Sequence, residues 1–394
     1  MSQFKFRKSV SLIFIGLCLV TGQVWGESIN VPEEESSRLY LQWLDHFWTG
    51  LETSEVTQFR AASAVRLIQT DDPVAQTRGV KLLEDILKSS TLDAVSLWTI
   101  ASACSWAESA QWCETGEAHQ KLEQADAGNA AVLLLKFSQI QAKQGGDLTE
   151  STTHRDLFAQ AAKADRFDSY WGRGAFGFYQ QTLSFIEANP PPPGMAEAMS
   201  PGRRPATTVE QFALGVFLSL TLYTPSASYQ SIFSFCQQQT SDQNTESMAV
   251  CKKLAHIMRN NGYESLTRSI GYAIDREMLR VIDPEDAGIV SWELRKQVFE
   301  IMMHCYLSPW QSNSDIQAEM GDATILNWLK NLDERGEWEG NRFSSRQEYE
   351  IAPEHFRFDP KKCDRLQQLD NENIITLLDG QSPDEAWQKI KDEG

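Results

Sequence analysis

The stretch Asp93-Ala-Val-Ser-Leu-Trp98 is followed by two similar ones, Asn129-Ala-Ala-Val-Leu-Leu134 and Asp168-Ser-Tyr-Trp-Gly-Arg173. Each begins with a side chain that is well suited to accept the free backbone amides of a first helical turn, so each predicts the start of a helix. The starts lie 36 and 39 residues apart, and an amphipathic helix and a turn precede each of them. One more helix pair fits residues 56–92. Periods of this length are typical of stacked helical hairpins.

The rest of the chain continues the helical pattern with almost no strand-like alternation. Apolar residues recur at helical spacing in segments 248–258 and 294–305. The run Phe212–Leu222 is apolar nearly all round, which predicts a buried central helix. Residues 334–362 are polar with scattered aromatic side chains, so we predict an irregular segment there, and residues 370–394 predict one or two helices. The predicted fold class is all-α, with stacked helical hairpins followed by a second helical region.

Residues 56–187 resemble degenerate tetratricopeptide-type repeats, through these three stretches and the turn ADAGNAAV at residues 125–132. They also resemble a group of exported bacterial proteins without an assigned activity, in which a cysteine pair precedes a similar turn and a later RFDSYW-like segment. The resemblance implies an α-solenoid of the tetratricopeptide type. The periods exceed the usual ~34 residues, and the closing proline of the repeat is missing. No specific ligand and no catalytic residue is therefore implied.

The N-terminal segment has the features of an export signal. Three basic residues precede the apolar run Val10–Val20, and the small residue Gly26 follows at a plausible cleavage position. The run is shorter than the ~20 residues that a membrane span needs. We therefore predict an exported chain, periplasmic or secreted, with no membrane span after cleavage. Two alternatives remain: lipid attachment at Cys18, although Leu17 before it is large for that processing, and retention as an uncleaved anchor.

The charge balance argues against two classes of partner. The net charge is −18, and the first 26 residues contain no acidic side chain, so the remainder is more negative still. Such a surface repels phosphate groups, and the sequence has no basic cluster beyond Arg203-Arg204 and a few scattered pairs. We predict that the protein binds neither nucleic acid nor anionic membrane surfaces.

A proline-rich stretch divides the chain. The run Asn189–Gly194, with further prolines up to Pro205, cannot enter a helix interior. It predicts a linker or long surface loop; a proline-rich docking ligand is the alternative, although no repeated basic-flanked motif accompanies it. The predicted organisation is a signal peptide (1–26), a repeat region (27–188), the linker or loop (189–207), a second helical region (208–333) and an irregular segment with C-terminal helices (334–394).

The stretch CSWAESAQWC runs from Cys104 to Cys113. Its spacing is too wide for a typical zinc site or a C-x-x-C redox pair. In one continuous helix the two Cα atoms would lie about 13 Å apart, beyond disulfide reach. A disulfide therefore requires a turn near Glu108-Ser109, where a helical hairpin would need one.

The other cysteines support a disulfide reading. Six remain after signal cleavage, and an even number in an exported chain favours disulfides. Cys236 and Cys251 flank the polar turn TSDQN, and we predict a bond there as well as between Cys104 and Cys113. Buried free thiols are the alternative. Cys305 and Cys363 are predicted as a third pair only because they are the two cysteines left over.

The sequence predicts no catalytic residue, no cofactor and no metal site. Six histidines are scattered, and the common nucleophile, phosphate and dinucleotide motifs are absent. The segment Tyr263–Ala273 partly resembles the Glu-Ser…Ser…Gly-Ala motif of lytic transglycosylases, whose glutamate protonates a glycosidic oxygen. The spacing from Glu264 to Ser269 and Gly271 is too short, and the downstream Gly-Leu-Met-Gln is missing. Because the match is only partial, a glycan-cleaving enzyme with Glu264 as its acid is an alternative and not the main prediction.

Tyr170, Trp171 and Arg173 are the candidate partner-binding residues, because they lie early in a predicted first helix, the kind of helix that lines the concave face of such arrays. The alternative is that these aromatic side chains pack against the neighbouring hairpin. We predict a non-catalytic protein-binding or scaffold module of the cell envelope, with an unidentified protein partner. The alternatives are a cell-wall glycan-cleaving enzyme and a small-molecule-binding accessory protein with a pocket between its two helical regions.

Overall fold

The computed structural model describes residues 33–89, 91–107, 110–143, 152–192, 229–282 and 322–349, and the single positions 209, 212, 213, 216, 292, 296, 299 and 388. Over these residues the fold is all-α, as predicted, with fourteen helices and no β-strand. The helices are α1 (Glu33–Glu52), α2 (Thr57–Ile68), α3 (Pro73–Leu87), α4 (Ala94–Ala103), α5 (Gln111–Glu114), α6 (Glu117–Ala125), α7 (Ala130–Lys143), α8 (Thr152–Ala161), α9 (Ala175–Ala188), α10 (Tyr229–Ser241), α11 (Thr245–Asn261), α12 (Ser265–Ile282), α13 (Asp322–Arg335) and α14 (Glu337–Tyr349).

Local capping explains several helix starts. Asp93 accepts the backbone amide of Ser96 at 2.7 Å before α4, and Asn129 accepts that of Ala131 at 3.1 Å before α7. Asn244 does the same for α11. Helix α3 begins with proline after Asp72, whose carboxylate accepts an amide of the first turn. The predicted starts at Asp93 and Asn129 are confirmed.

The helix pairs α2–α3, α4–α6, α7–α8 and α10–α11 pack against one another in a row. Helix α2 contacts α4, α7 contacts α10, and α8 contacts α11, while the carboxamide of Gln139 on α7 donates to the carbonyl of Ala101 on α4 at 2.6 Å. One continuous apolar core runs through these pairs and into α12. Gly271 of α12 permits a close approach to α11, because a Cβ there would lie 2.8 Å from the carbonyl oxygen of Ala255. The tetratricopeptide-type solenoid itself stays a prediction.

The turns between helices also lie side by side. Residue 129 forms a parallel bridge with residue 166, and residue 167 forms one with residue 262. The amide of Trp338 then donates to the carbonyl of Tyr263 at 2.9 Å. Backbone groups that a solvent-exposed turn would leave to water are therefore paired between neighbouring turns.

A second apolar core lies beside the row and is built from α1, α9 and α13. Phe185 of α9 packs edge-on against Trp43 and Phe47 of α1, with ring centroids 5.6 and 5.1 Å apart, and Phe178 packs against Phe59 of α2 at 5.0 Å. The chain therefore leaves the row after α8, returns to its first helices through α9, and resumes the row at α10. Phe212, Ala213 and Val216, from the run predicted as a buried helix, are buried in this second core.

The prediction of an irregular segment at 334–362 is wrong for residues 337–349, which form α14. The face of α14 that packs on α13 is small or polar, so it carries no apolar periodicity. Gly340 permits the contact, because a Cβ there would lie 2.9 Å from the carbonyl oxygen of Asn331. The side-chain nitrogen of Asn331 donates to Ser344 Oγ at 2.9 Å, and the indole of Trp328 donates to Asn341 Oδ1 at 2.7 Å. Hydrogen bonds thus replace apolar contacts at this interface.

The sulfur atoms of both predicted local cysteine pairs lie at disulfide distance. They are 2.10 Å apart for Cys104 and Cys113 and 2.06 Å apart for Cys236 and Cys251. The first pair joins the end of α4 to α5, so the chain turns back between them as the bond requires. Helix α10 is joined to α11 by the second pair. The predicted Cys305–Cys363 pair lies outside the described residues.

Other predictions fall partly or wholly outside the described residues. The export signal at 1–26, most of the proline-rich stretch and nearly all of 370–394 belong to this group; residues 189–192 directly follow α9 and are not helical. Among the helices that the structure describes, none is both long and apolar enough to cross a membrane.

Candidate functional site

The residues Asp168–Gly174, which we call the connecting segment, link the row of helix pairs to the second core. The prediction that Asp168 starts a helix is wrong: residues 171–174 form turns, and α9 begins at Ala175. Three residues of the segment have positive φ angles, Tyr170 (58°), Gly172 (83°) and Gly174 (74°). Tyrosine seldom adopts this conformation, so its surroundings must hold it there.

The row of helix pairs fixes the start of the connecting segment through Asn129. This side chain is fully buried. Its oxygen accepts the amide of Asp168 at 3.0 Å, and its nitrogen donates to the carbonyl of Asp168 at 2.8 Å. The same nitrogen donates to Asp126 at 3.0 Å, and Asp126 also pairs with Arg166 and accepts the hydroxyl of Tyr170. Helix start and connecting segment are therefore locked together by one side chain.

The interior of the segment is held by Asp168 and by Glu264. Asp168 Oδ1 accepts the amide of Tyr170 at 2.8 Å. The carboxylate of Glu264 accepts the amide of Ser169 at 2.7 Å and its hydroxyl at 3.0 Å, and the hydroxyl of Thr267 at 2.7 Å. The side chain of Glu264 is 3 % exposed. Burial and the neighbouring charge of Asp168 raise the pKa of Glu264 to about 8, although these hydrogen bonds act to lower it.

This placement bears on the glycan-cleaving alternative. An acid that protonates a glycosidic oxygen has to reach the substrate, whereas Glu264 is enclosed and its oxygens already accept three hydrogen bonds from the protein. Gly271, which completes the partial motif, serves the close packing of α12 on α11. Both residues thus have structural roles that account for their presence.

The end of the connecting segment is held by Arg173 and Asp333. The guanidinium of Arg173 pairs with Asp168 at 3.2 Å, donates to the carbonyls of residues 333 and 334 at 3.3 Å, and lies over the ring of Tyr263 at 5.1 Å. Asp333 Oδ1 accepts the amide of Gly174, the residue before α9, which has no side chain of its own for capping. Arg173 therefore stabilises the last turn of α13, and Asp333 stabilises the start of α9.

An open groove with a volume of about 640 Å³ lies beyond this junction, where the first turns of α2, α4 and α9 converge. We call it the α2–α4–α9 groove. Its lining residues are Val56, Gln58, Phe59, Asp93, Val95, Arg173, Gly174, Gly177, Gln180, Gln181, Ser184 and Asp333.

The walls of the groove are rich in carboxamide and carboxylate groups. Gln58 donates from its amide nitrogen to the carbonyl of Arg173 at 2.9 Å, which leaves its oxygen to accept. Gln180 and Ser184 are exposed, and Val56 is 45 % exposed at the rim. Groups that both donate and accept hydrogen bonds suit the alternating N–H and C=O groups of a polypeptide backbone.

The three candidate partner-binding residues lie together in the connecting segment but have different surroundings. Tyr170 is 6 % exposed and packs beside Trp98, with ring centroids 5.5 Å apart, so it has no surface to offer a partner. Trp171 is half-buried against the second core. Only Arg173 lines the groove.

Sequence reasoning missed the other groove residues. Gln58, Gln180, Gln181 and Asp333 come from three helices that are far apart in the chain, and none of them belongs to a motif. Two residues that the sequence singled out do line the groove: Arg173, as a candidate partner-binding residue, and Asp93, as a predicted helix start.

In the described part of the chain, no group of three or more His, Cys, Asp or Glu side chains is arranged to hold an ion. Comparison of the chain with family models, with curated proteins and with solved structures gives no match.

Proposed function

We propose that this is an exported, non-catalytic binding module that holds an extended segment of a partner protein in the α2–α4–α9 groove. The observation that carries the proposal is the groove itself, an open site of about 640 Å³ whose walls present carboxamides from α2 and α9. An extended segment carries unpaired backbone groups, and side chains such as Gln58 and Gln181 can bind them without reading a particular sequence.

The surroundings of the groove support a binding role. The connecting segment that forms one wall is fixed by side chains from four directions, Asn129, Glu264, Asp333 and Gln58. A wall that is already rigid loses little conformational entropy when a ligand binds. The positive φ angle of Tyr170 fits the same view, because such strain accumulates at sites that must keep one shape.

Export of the protein is part of the proposal. Two cysteine pairs at disulfide distance are typical of an oxidising compartment, and the apolar run at Val10–Val20 fits an export signal. The periplasm or the outside of the cell is the location that agrees with both features.

Site-specific crosslinking tests the proposal. A photoreactive amino acid replaces Gln180 in the groove, and the full chain is expressed in its own cells and illuminated. The matched control carries the same amino acid in place of Val74, which is 77 % exposed on α3 and lies outside the groove. We expect one envelope protein to be crosslinked from position 180 only, at a site within one contiguous segment.

The segment identified in this way is then synthesised as a peptide and titrated against the purified protein. Binding that is lost when Gln180→Trp fills the groove, with helicity unchanged, supports the proposal. Equal crosslinking from positions 180 and 74, or a peptide that binds wild type and Gln180→Trp equally well, contradicts it.

A small-molecule ligand is the second candidate function. The groove volume falls within the range of about 300–1,000 Å³ that is common for small-ligand sites. Native mass spectrometry of the protein purified from its own cells distinguishes the two, since a retained metabolite appears as a defined mass that Gln180→Trp removes.

A further inference from the structure

The fixed charges at the α2–α4–α9 groove are mostly negative. Asp93 and Asp333 line it, and the exposed carboxylates Glu55 and Glu334 directly adjoin lining residues. The opposing charge is Arg173. Its guanidinium pairs with Asp168, donates to two carbonyls of the α13 terminus and favours the charged form of Asp333, but one guanidinium does not balance these four carboxylates.

The three helix starts at the groove oppose this negative charge only in part. A helix N-terminus carries about half a positive charge. At α4 this is offset by the full charge of Asp93, and at α9 by that of Asp333, each of which accepts an amide at the helix start. Of these three helix starts, only that of α2, which follows Val56, has no carboxylate that accepts one of its amides. The sum over the site is therefore negative.

Asp333 is the carboxylate best placed to gain from a ligand. It is half-buried in the groove wall, and burial raises its pKa above the ordinary value although the amide of Gly174 and the charge of Arg173 act against this. It also lies in the last turn of α13, where a negative charge is unfavourable. A second cation, placed beside it from the groove side, would reduce both costs further.

We infer that the extended segment held in the α2–α4–α9 groove carries a lysine or arginine side chain, which pairs with Asp333 and lies near Asp93. The inference rests on the proposed function, because it specifies the ligand of that same groove. The net charge of −18 acts in the same direction at longer range, since it attracts basic segments and repels acidic ones.

The experiment is a selection from a library of random peptides of about ten residues against the purified mature protein. The selected peptides are then titrated against wild type, Asp333→Asn, Asp93→Asn and the control Asp71→Asn. Asparagine at 333 keeps an oxygen for the amide of Gly174, and asparagine is as good a cap as aspartate at 93. Asp71 is exposed at the opposite end of α2 and undergoes the same chemical change.

We expect the selected peptides to be enriched in lysine and arginine. Asp333→Asn should weaken their binding by about tenfold and Asp93→Asn by about threefold, while Asp71→Asn changes it less than about twofold. Raising the salt concentration should weaken binding to wild type more than binding to Asp333→Asn.

The other outcomes separate the two proposals. Selected peptides that are neutral or acidic, or that bind Asp333→Asn and Asp93→Asn as tightly as wild type, overturn the inference and leave the groove as a peptide site. A selection that enriches no peptide overturns the proposed function and the inference with it. Circular dichroism of each variant establishes that a loss of binding is not a loss of α9 or α4.

Discussion

Two helix starts in this molecule have the same sequence signature and opposite surroundings. Asp93 before α4 and Asn129 before α7 both cap their helices through a side-chain oxygen. Asp93 is exposed and lines the α2–α4–α9 groove, whereas Asn129 is fully buried beneath the connecting segment. A repeated motif thus fixes the local backbone, and what covers the motif decides whether it serves as a surface or as part of the interior.

The largest expected difference between the two starts is in stability. We expect Asn129→Ala to lower the free energy of unfolding by about 3 kcal/mol, because it leaves the buried amide and carbonyl of Asp168 without partners in addition to removing a cap. Urea unfolding measures the change. The matched control is Asn244→Ala, which removes a cap with a single hydrogen bond and should cost about 1 kcal/mol. Equal losses would mean that the connecting segment is not held by Asn129.

The next effect concerns how the free energy of unfolding depends on pH through Glu264, which holds the buried connecting segment. Glu264 binds its proton more tightly in the folded chain, with a pKa of about 8 against an ordinary value of 4.5, because of burial and the charge of Asp168. Between these values the folded state holds more protons than the unfolded state, so this group makes the fold less stable as the pH rises. The stabilisation is complete below about pH 4.5 and is lost as the pH passes about 8.

The test compares wild type with Glu264→Gln, which keeps the shape of the side chain but cannot ionise. The free energy of unfolding of wild type should fall relative to that of the variant by about 1.4 kcal/mol per pH unit between pH 5.5 and 7.5. The control Glu187→Gln changes an exposed residue of α9 and should follow wild type. Parallel curves for wild type and Glu264→Gln would show that Glu264 does not bind its proton more tightly in the fold.

The smallest effect is expected at the exposed start. Asp93→Ala removes the acceptor for the amide and hydroxyl of Ser96 and should cost about 2 kcal/mol, because Ser96 is itself buried although Asp93 is exposed. Urea unfolding beside Asn129→Ala gives the comparison directly. A loss at Asp93 as large as that at Asn129 would contradict the contrast between an open and a covered helix start.

The sequence predicts those parts of the fold that depend on neighbours in the chain. The capping residues before α4 and α7, the two local cysteine pairs and the all-helical pattern are of this kind, because each arises within about one helix pair. The third repeated stretch, beginning at Asp168, was predicted wrongly because residues distant in the chain decide its conformation. Its aspartate accepts the amide of Tyr170 and pairs with Arg173 instead of starting a helix, under the influence of Asn129 and Glu264 from other parts of the row.

The site could be predicted less well than the fold for the same reason. Arg173 was a candidate, yet its partners at 333 and 334 lie about 160 residues further along the chain. Helix α14 escaped prediction because its packing face uses Gly340, Asn341 and Ser344, which no apolar period reveals. The spatial order of helices, in which α9 returns to α1 and α2, follows from aromatic contacts that no single segment contains.

The packing of α9 against α1 and α2 has a consequence for folding during synthesis of the chain. During synthesis α1 and α2 emerge first, with Trp43, Phe47 and Phe59 facing a space that α9 fills more than 100 residues later. Until then those aromatic side chains are uncovered, although the pairs α2–α3 and α4–α6 can already form. A nascent chain that stops before residue 175 therefore exposes an aromatic surface on α1 and α2. We expect chaperones, or other unfolded chains, to compete with α9 for this surface.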